Sequence, residues 1–255
     1  MLLAVDIGNT NVTLGVYDGE ELRGTWRMAT DVNQMGDEYA AMLLILLEHA
    51  GVKGSDIREA AMCSTVPPLV STFEDLLQRY FKVSPLVIRA GVKTGVRIVA
   101  DNPREVGTDR IVNAAAAHHL YKGAVIVVDM GTATTFDIVS KEGDFIGGVI
   151  APGIGIAAQA LYTRTAALPR VELVAPAKAI GSNTIAAMQS GIVFGYMGLV
   201  EGLVTRIQKE LPEKAMVIAT GGYAEIIARG TKVIDDTNAD ITLVGLRLIY
   251  QMNKS

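Results

Sequence analysis

The start of the chain consists of strand-like apolar runs separated by short polar turns, which predict strands near residues 2–7, 11–17 and 21–28. An apolar pattern with helical spacing follows near residues 36–50. Two further predicted strands, REAAMCS and PLVIRA, flank a helix that begins at a Pro-Pro pair. Three consecutive strands followed by alternating helix and strand indicate an α/β fold with a mixed sheet.

The same order of apolar runs and turns begins again at residue 123. The segment GAVIVVDMGTATTFDIVSKEGDFIGGVI gives a strand, a polar turn, a second strand, another turn and a third strand. When this segment is laid on the start of the chain, Asp129 matches Asp6 and Gly131 matches Gly8 with one offset of 123 residues. One extra residue in the following turn then brings EGDFI over DGEEL.

A repeat with a period near half the chain indicates a duplicated domain, because solenoids repeat every few tens of residues. We therefore expect a duplicated α/β fold with two lobes, residues 1–118 and 119–255, each with a mixed β-sheet flanked by helices. The two lobes are expected to face each other. The alternative is that two unrelated β-hairpins share the same turn residues.

Each repeat places a carboxylate at the end of its first strand, just before a glycine and small polar residues. Gly8 allows backbone N–H groups to approach a ligand closely, and nearby hydroxyl and amide side chains add donors without bulk. Such a turn suits phosphate oxygens. Asp6 alone would repel phosphate, so its position favours a Mg²⁺ ion held between the carboxylate and the phosphates of a nucleotide.

The second turn, DMGTATT, carries equivalent groups. They are Asp129, Gly131 and the hydroxyls of Thr132, Thr134 and Thr135. Two such turns from two lobes could hold one polyphosphate. The alternative is that both acids are ordinary strand-terminating turn residues, a position that Asp often occupies.

A third acid lies between the repeats, in DNPREVGTDRIVNAAAAHH. Asp109 and Arg110 follow Gly107 and precede an alanine-rich helical pattern, so they lie near a helix N-terminus, where an anion is favourably placed. Asp109 could accept the proton of an alcohol that attacks a γ-phosphoryl group, and Arg110 could bind a substrate carboxylate. The alternative is that Asp109 caps the helix and Arg110 pairs with Glu105.

Composition narrows the classes of partner. The formal net charge is -4, with 23 basic and 27 acidic residues, so we expect no basic surface for nucleic acid. The single cysteine, Cys63, permits no intrachain disulfide and is expected to be a small buried side chain in a reducing compartment. The three histidines, of which two are adjacent, are not spaced for a metal site.

No secretory signal is expected, because no basic segment precedes the first apolar run and no cleavage site follows it before Asp6. Residues 40–50 are apolar but too short to cross a bilayer, and residues 186–207 carry Gln189 and Glu201. Both stretches are predicted to be buried helices. We therefore expect a cytoplasmic protein without a membrane partner.

Two better-known nucleotide motifs do not explain the chain. No G-x-x-x-x-G-K-[ST] sequence occurs, which excludes a P-loop. Gly153, Gly155 and Ala158 form G-x-G-x-x-A, but Glu172 does not end a second parallel strand as a dinucleotide site requires. We interpret this loop as a helix start. A Gly-Gly pair at residues 221–222 follows another apolar strand and could let a base or sugar lie against the next helix.

Five motifs occur in the order DIGNTN, DNPxxVGTDR, DMGTATT, GGVIAPG and GSNT, and they span nearly the full chain. In this order they closely resemble the type III pantothenate kinases of bacteria, members of the actin-like, sugar-kinase and Hsp70-like ATPase superfamily. The resemblance implies an actin-like (ribonuclease H-like) fold and ATP-dependent phosphorylation of the primary hydroxyl of pantothenate, the entry step to coenzyme A. Two rival functions are another small-molecule kinase of the superfamily, such as a sugar or acetate kinase, and a nucleotide-binding regulator.

The resemblance also implies roles for individual residues. Asp109 would be the proton acceptor, Asp6 would bind the Mg²⁺ of MgATP, and Asp129 would bind a monovalent cation, K⁺ or NH₄⁺. The implied ATP contacts are Asp6, Ile7, Gly8, Asn9, Thr10, Asn11, Val12 and Thr13, together with Thr132. The implied pantothenate contacts are Gly107, Thr108, Asp109, Arg110 and Thr184.

The resemblance further implies a homodimer in which the pantothenate site borders the partner subunit. Gly191, Gly195, Gly198 and Gly202 follow one face of a long helix and would allow a second helix to approach closely, either from a partner or from within the chain. One position departs from the family pattern. Ala100 stands where the family usually has an aromatic residue, so a contact with pantothenate is expected to be lost or replaced there.

Overall fold

The strands form two mixed sheets. The computed structural model describes residues 1–254, and in that range the strands are β1 (Leu2–Ile7), β2 (Asn11–Asp18), β3 (Glu21–Ala29), β4 (Glu59–Ser64), β5 (Leu86–Val87), β6 (Arg97–Ile98), β7 (Val125–Met130), β8 (Ala133–Val139), β9 (Asp144–Pro152), β10 (Met216–Thr220) and β11 (Asp236–Thr237). The first sheet has the order β3-β2-β1-β4-β5, and the second has the order β11-β10-β7-β8-β9-β6. In each sheet a central strand, β1 or β7, pairs antiparallel with the next strand and parallel with a later one.

The helices predicted near residues 36–50, after the Pro-Pro pair, at the alanine-rich segment and within residues 186–207 are present, whereas the C-terminal helix was not predicted. Over the described range they are α1 (Gly36–His49), α2 (Pro67–Leu76), α3 (Thr108–Leu120), α4 (Ile154–Arg164), α5 (Thr184–Gln189), α6 (Gly195–Glu210), α7 (Ala224–Ala228) and α8 (Ile241–Asn253). The Pro-Pro pair occupies the first turn of α2, where the missing N–H groups have no helical partner in any case. Wider π-helical turns extend α2 through Leu77–Phe81 and join α5 to α6 through Ser190–Phe194.

Both faces of β1 are buried, which explains its uninterrupted apolar sequence. Its odd-numbered apolar residues lie in a core with α1 and α2, whereas Leu2 and Ala4 lie in a core with α3 and α8. Because side chains alternate along a strand, Asp6 projects from the face that carries Leu2 and Ala4. The parallel neighbour β4 places Cys63 on that same face.

The C-terminal helix α8 follows the second sheet in sequence but packs on β1 and β4 of the first. A Cβ atom on Gly245 would overlap the carbonyl oxygen of Val112, so the glycine allows α8 to lie directly against α3. Thr242 Oγ1 also donates a hydrogen bond to Asn113 Oδ1 at 2.7 Å. These contacts fix the helix whose first turn carries Asp109.

The second sheet buries one face of its central strands against α4 to α7. Ile126, Val128 and Met130 of β7 lie in this core with Phe136 of β8. The alternation along β7 therefore directs Asp129 away from that core, to the opposite face of the sheet.

The two hairpins have the same pairing pattern at their acids. Asp6 lies directly opposite Thr13 on β2, and Asp129 lies directly opposite Thr135 on β8. The turn between β7 and β8 has one residue fewer than the turn between β1 and β2, because the chain covers six positions from acid to threonine instead of seven. Position and partner of the acid are thus conserved between the repeats despite this difference.

A register shift is also repeated at the equivalent place further along each unit. It occurs between Val16 and Tyr17 where β2 pairs with β3, and between Ile138 and Val139 where β8 pairs with β9. The turn after β8 is one residue longer than the turn after β2, as predicted. Because the first turn is one residue shorter, however, Leu22 corresponds to Phe145 and not to Ile146, which the alignment of EGDFI with DGEEL requires. Two unrelated hairpins would have no reason to share a bulge, so the duplicated fold is confirmed.

The chain divides into two compact units. The first comprises Met1–Arg97, Asp101–Ala116 and the chain from Ile241 onward, and the second comprises Ile98–Ala100 and Ala117–Asp240. The change of unit after Ala116 lies close to the boundary drawn from the sequence at residues 118 and 119. Helix α8 groups with the first unit because its apolar side is buried against strands of that unit.

Within residues 1–254, one helical stretch is long and apolar enough to cross a bilayer. It is Thr184–Glu210, with 27 residues and a mean hydropathy of 1.2 in its most apolar window, of which 39% is buried. Its buried side, which includes Val193, Val200 and Val204, lies in the core of the second unit. Helices that pack in protein cores meet the same length and composition criteria. One side of this helix is buried as predicted, whereas more than half of its most apolar window is not.

Candidate active site

Asp6 ends β1 on the face of the first sheet that packs against α3 and α8. Its nearest neighbour across the parallel pairing is Cys63, whose Sγ donates a hydrogen bond to Asp6 Oδ1 at 3.4 Å. Burial raises the pKa of the Cys63 thiol well above its usual value, and the carboxylates of Asp6 and Asp109 raise it further. The thiol therefore remains protonated and acts as a donor to the acid.

The turn after Asp6 is held by side chains from other strands and loops. Gly8 N–H donates to the carbonyl of Asn11 at 3.0 Å, which closes the turn. Thr30 Oγ1 donates to the Gly8 carbonyl at 2.6 Å, and Thr65 Oγ1 donates to the Ile7 carbonyl at 3.3 Å. The tip of the turn, Asn9, Thr10 and Asn11, is exposed and free of bulky side chains, as a phosphate-binding turn requires.

Two of the predicted ATP-binding residues offer no side chain to a ligand. Ile7 and Val12 are 0% exposed and belong to the core with α1 and α2. The Ile7 carbonyl is already bonded to the backbone N–H of Thr65 at 2.9 Å. Ile7 and Val12 therefore anchor the two ends of the turn in the core, while Gly8 to Asn11 present its exposed backbone and side chains.

Asp109 lies in the first turn of α3, where its carboxylate folds back over Gly107. A Cβ atom on Gly107 would lie 2.5 Å from Asp109 Oδ1, so the acid takes this position only because residue 107 is glycine. Asp109 Oδ1 is buried and has no hydrogen-bond partner. Backbone N–H groups of Asp109 and Arg110 act on the carboxylate, as in a helix cap, but Oδ1 remains buried without a partner, and this unpartnered oxygen favours a role toward a ligand.

The environment of Asp109 favours its protonated form. Burial raises the pKa of the Asp109 carboxyl above its usual value, and this effect outweighs the backbone N–H groups and the Arg110 guanidinium, which lower it. A carboxylate with a raised pKa is a stronger base toward a hydroxyl proton than an exposed aspartate. The site thus contains an acid that is suited to proton transfer.

The first turn of α3 is tied to the end of β4. Thr108 Oγ1 donates to the Ser64 carbonyl at 3.1 Å, and Ser64 lies directly beside Ile7 in the parallel pairing. Asp109 is also close enough to Cys63 to raise the pKa of its thiol, as Asp6 does. The structure therefore brings the predicted residues 6–13 and 107–110 together at the end of the first sheet where β1 and β4 finish.

The second acid, Asp129, is surrounded by glycines. A Cβ atom on Gly221 would lie 2.7 Å from Asp129 Oδ1 and 2.6 Å from the carbonyl carbon of Met130, and one on Gly131 would lie 3.3 Å from Asp129 Oδ1. Gly221 also has a φ of 92°, which only glycine adopts without strain. Gly221 thus makes room for the acid and the neighbouring carbonyl of Met130, whereas a Cβ atom on Gly222 would meet no atom within 4 Å.

This arrangement fits a hard cation with oxygen ligands. The carboxylate of Asp129 and the carbonyl of Met130 converge on the space that a side chain at residue 221 would fill. Among residues 1–254, no group of three or more His, Cys, Asp or Glu side chains is arranged to hold a metal ion. A cation at Asp6 or Asp129 would accordingly depend on backbone, water or substrate oxygens for most of its ligands.

Thr132 and Thr184 both lie in the second unit. Thr132 is exposed at the tip of the second turn, and its carbonyl packs against Gly153, whose Cβ atom would overlap it. Helix α4 begins directly after Gly153, so the G-x-G-x-x-A loop is the predicted helix start.

Thr184 begins α5 after the N-cap Asn183, whose Oδ1 accepts a hydrogen bond from Ala186 N–H at 2.9 Å. Thr184 also lines an open cavity of about 840 Å³ between α4 and α5.

Gly191, Gly195, Gly198 and Gly202, which we call the glycine stripe, follow one face of the long helix, and other parts of the described chain do not cover the first three of them. A Cβ atom at Gly191, Gly195 or Gly198 would meet no atom of the described chain within 4 Å. Close packing within residues 1–254 therefore does not account for these three glycines. Ala100 is half-buried, and nothing in the described residues explains the departure from the family pattern there.

Cys63, Ser64 and Thr65 are the site residues that sequence reasoning missed, since Cys63 was interpreted only as a buried apolar residue. Each of the three contacts a predicted site residue. The available signal was indirect, because an Asp at the end of one strand is informative only if the neighbouring strand is known. Parallel pairing between β1 and β4 joins segments more than fifty residues apart, and no local pattern encodes it.

The fold is of the actin-like ATPase and sugar-kinase type. A putative 2-dehydro-3-deoxygalactonokinase from Sinorhizobium meliloti superimposes with a TM-score of 0.62 at 13% identity, covering 99% of this chain and 97% of that one. A conserved putative Baf family transcriptional activator from Campylobacter jejuni gives a TM-score of 0.61 at 19% identity over 98% of both chains. At these identities the likeness concerns the fold alone.

Sequence comparison identifies the family. The family described as type III pantothenate kinase matches residues 2–206. A type III pantothenate kinase from Dehalococcoides mccartyi is 59% identical over 253 residues, which cover 99% of this chain and 96% of that protein. The chain belongs to the type III pantothenate kinase family.

Proposed function

We propose that this protein transfers the γ-phosphoryl group of ATP to the primary hydroxyl of pantothenate, which yields 4'-phosphopantothenate and ADP and begins coenzyme A biosynthesis. Family membership over nearly the full chain supports the reaction. The observation that carries the mechanism is the buried, unpartnered oxygen of Asp109, which lies near the end of β1 where Asp6 is found.

The first turn is assigned to the triphosphate. Gly8 to Asn11 offer exposed backbone and small polar side chains, with Thr13 across the strand pair from Asp6. Asp6 is assigned to the Mg²⁺ that ATP brings as its complex, because a single carboxylate beside phosphate oxygens is a common Mg²⁺ environment. Ile7 and Val12 contribute through the position of their backbone. Thr132 adds a nucleotide contact from the second hairpin.

Asp109 is assigned to the acceptor hydroxyl. It accepts the hydroxyl proton as the alcohol oxygen forms its bond to the γ-phosphorus and the bond from that phosphorus to the ADP oxygen breaks. Gly107 and Thr108 place this acid, and Arg110 binds the pantothenate carboxylate through paired N–H donors. Thr184, on the wall of the cavity at α5, is assigned a further contact with pantothenate.

Asp129 is assigned to a monovalent cation, K⁺ or NH₄⁺. The support is the space beside Gly221, where a carboxylate and a backbone carbonyl converge. Such an ion supplies positive charge near a strongly anionic substrate. We also propose a homodimer in the cytoplasm, supported by the open glycine stripe on α5 and α6 and by exposed apolar side chains of the same unit, Ile180 and Ile185 among them.

Release of ADP from MgATP tests the function directly. Purified protein is assayed in K⁺ with pantothenate, hexoses or acetate as the acceptor, and we expect ADP only with pantothenate. Release with a hexose or acetate and not with pantothenate would assign the protein to another kinase of the superfamily. ATP binding without any acceptor-dependent ADP release would instead favour a regulatory role.

A further inference from the structure

Three consecutive residues at the end of β4 each contact a residue of the proposed site. Cys63 donates to Asp6, the Ser64 carbonyl accepts from Thr108, and Thr65 contacts the turn that follows Asp6. We call Cys63–Thr65 the linking segment, because it joins the residues assigned to ATP to those assigned to the acceptor. None of the three is itself assigned to a substrate.

Thr65 makes the most specific of these contacts. Its Oγ1 accepts a hydrogen bond from Asn9 Nδ2 at 3.3 Å and donates one to the Ile7 carbonyl at 3.3 Å. One hydroxyl therefore connects the exposed tip of the turn to the end of β1. Asn9 is exposed, so the contact with Thr65 limits the conformations that its amide would otherwise sample in water.

The pairing of the strands does not need this hydroxyl. The backbone N–H of Thr65 already bonds to the Ile7 carbonyl at 2.9 Å and continues the parallel β1–β4 ladder. A residue of any type could supply that N–H except proline. The side-chain contacts come in addition to the ladder, and they act on the part of the turn that faces outward.

We propose that Thr65 is a positioning residue for nucleotide binding, which holds the Asn9 amide and the turn at residues 8–11 in the conformation that receives the ATP phosphates. The proposal rests on the assignment of this turn to ATP in the proposed function. Preorganisation by Thr65 removes an ordering step that ATP would otherwise drive on binding. A loss of Thr65 Oγ1 would accordingly weaken ATP binding more than it weakens the fold.

The test compares the affinity for MgATP, measured by calorimetry without pantothenate. Thr65→Val keeps the β-branched shape and removes the hydroxyl, and we expect the dissociation constant to rise about fivefold, as for the loss of one net hydrogen bond. Thr65→Ser retains the hydroxyl and should restore an affinity close to that of the wild type. Thr25→Val removes a hydroxyl from an exposed position on β3 of the same sheet and is the matched control, with no expected change.

A double-mutant cycle shows whether Thr65 acts through Asn9. Asn9→Ala should also raise the dissociation constant, and the Asn9→Ala/Thr65→Val protein should bind more tightly than the product of the two single effects requires. Melting temperatures measured in parallel separate positioning from folding, since a purely structural residue would lower them and leave the affinity of the folded protein unchanged. If Thr65→Val does not fold, Thr65→Ala replaces it in the same cycle.

An unchanged affinity in the folded Thr65 variant, or single effects that multiply fully, would overturn the proposal. The wild-type protein separates this outcome from a failure of the proposed function. If it binds ATP but phosphorylates another acceptor, the assignment of pantothenate fails while the cycle still tests Thr65. If it does not bind ATP, both fail together.

Discussion

The two hairpins share a backbone plan but differ in what surrounds their acids. Asp6 and Asp129 are each the last residue but one of a central strand, each lies opposite a threonine, and each lies two positions before a glycine. Asp6 accepts a hydrogen bond from the Cys63 thiol. The hydroxyls of Thr30 and Thr65 donate hydrogen bonds to backbone carbonyls of the turn that follows it. Asp129 instead lies close to two glycines, Gly131 and Gly221, and to the backbone of Met130.

This difference shows that strand register decides where an acid lies, whereas the residues around the acid decide which ligand it can bind. A turn with exposed amide and hydroxyl groups suits the several oxygens of a polyphosphate. A glycine-lined space with a carboxylate and a carbonyl suits a single cation. The duplicated hairpins are therefore expected to respond differently to equivalent substitutions.

The largest expected difference between the two hairpins is in how catalysis responds to loss of the acid. Asp6→Asn should lower kcat/KM for MgATP by at least about 10- to 100-fold, the range seen when metal-orienting groups are removed. Asp129→Asn should retain activity at high K⁺ but require a higher K⁺ concentration for half-maximal rate. ADP release measured over a series of Mg²⁺ and K⁺ concentrations checks both variants, and an identical response of the two would remove the distinction between the hairpins.

Glycine substitutions should differ in stability. Gly221→Ala places a methyl group against Asp129 and Met130 at a φ of 92°, and we expect a loss of about 2 kcal/mol or more in the free energy of unfolding. Gly8→Ala meets only the Asn11 carbonyl, at 3.1 Å, and should unfold at a denaturant concentration close to the wild-type value while binding MgATP less tightly. Chemical denaturation of both variants decides the matter, and equal midpoints would contradict it.

A smaller effect should distinguish Asp109 from an ordinary surface acid. Because burial raises its pKa in the folded state, its contribution to stability is present below the unfolded pKa and is lost as pH rises through the folded pKa. Asp109→Asn should therefore melt at a higher temperature than the wild type at pH 7, and the difference should shrink as pH is lowered through the folded pKa toward the ordinary pKa of an aspartic acid. A variant that melts lower at pH 7 would show that the carboxylate stabilises the fold.

The smallest expected effect concerns Cys63. Cys63→Ala leaves Asp6 without its thiol donor, and a weak neutral hydrogen bond of this kind accounts for a change of about two- to fivefold in the KM for MgATP. Cys63→Ser keeps a donor and serves as the control. A KM equal to that of the wild type in the alanine variant would show that the thiol does not orient Asp6.

Periodicity and turn chemistry predicted the local parts of the fold. The strands near residues 2–7 and 21–28 and the helix near 36–50 were found as Leu2–Ile7, Glu21–Ala29 and Gly36–His49. These elements carry their own apolar pattern, so a short window contains the information. The correspondence between Asp6 and Asp129 was also predictable from the sequence, since it depends only on spacing.

Contacts between distant segments were not predictable in the same way. The burial of α8 against β1, the approach of Gly245 to Val112 and the contacts of Thr65 with Asn9 all depend on which strands and helices become neighbours. Neither periodicity nor composition specifies such pairings. The residues missed at the site are therefore those that reach it from β4.

The central claim is that Asp109 accepts the proton of the attacking hydroxyl. Turnover of the Asp109→Asn variant, with MgATP, pantothenate and K⁺ all saturating, tests it most directly. We predict that the folded variant binds MgATP as the wild type does but releases ADP roughly 10² to 10⁴ times more slowly, the span usual for a positioned base. An Asp109→Asn protein that turns over at the wild-type rate would contradict the account.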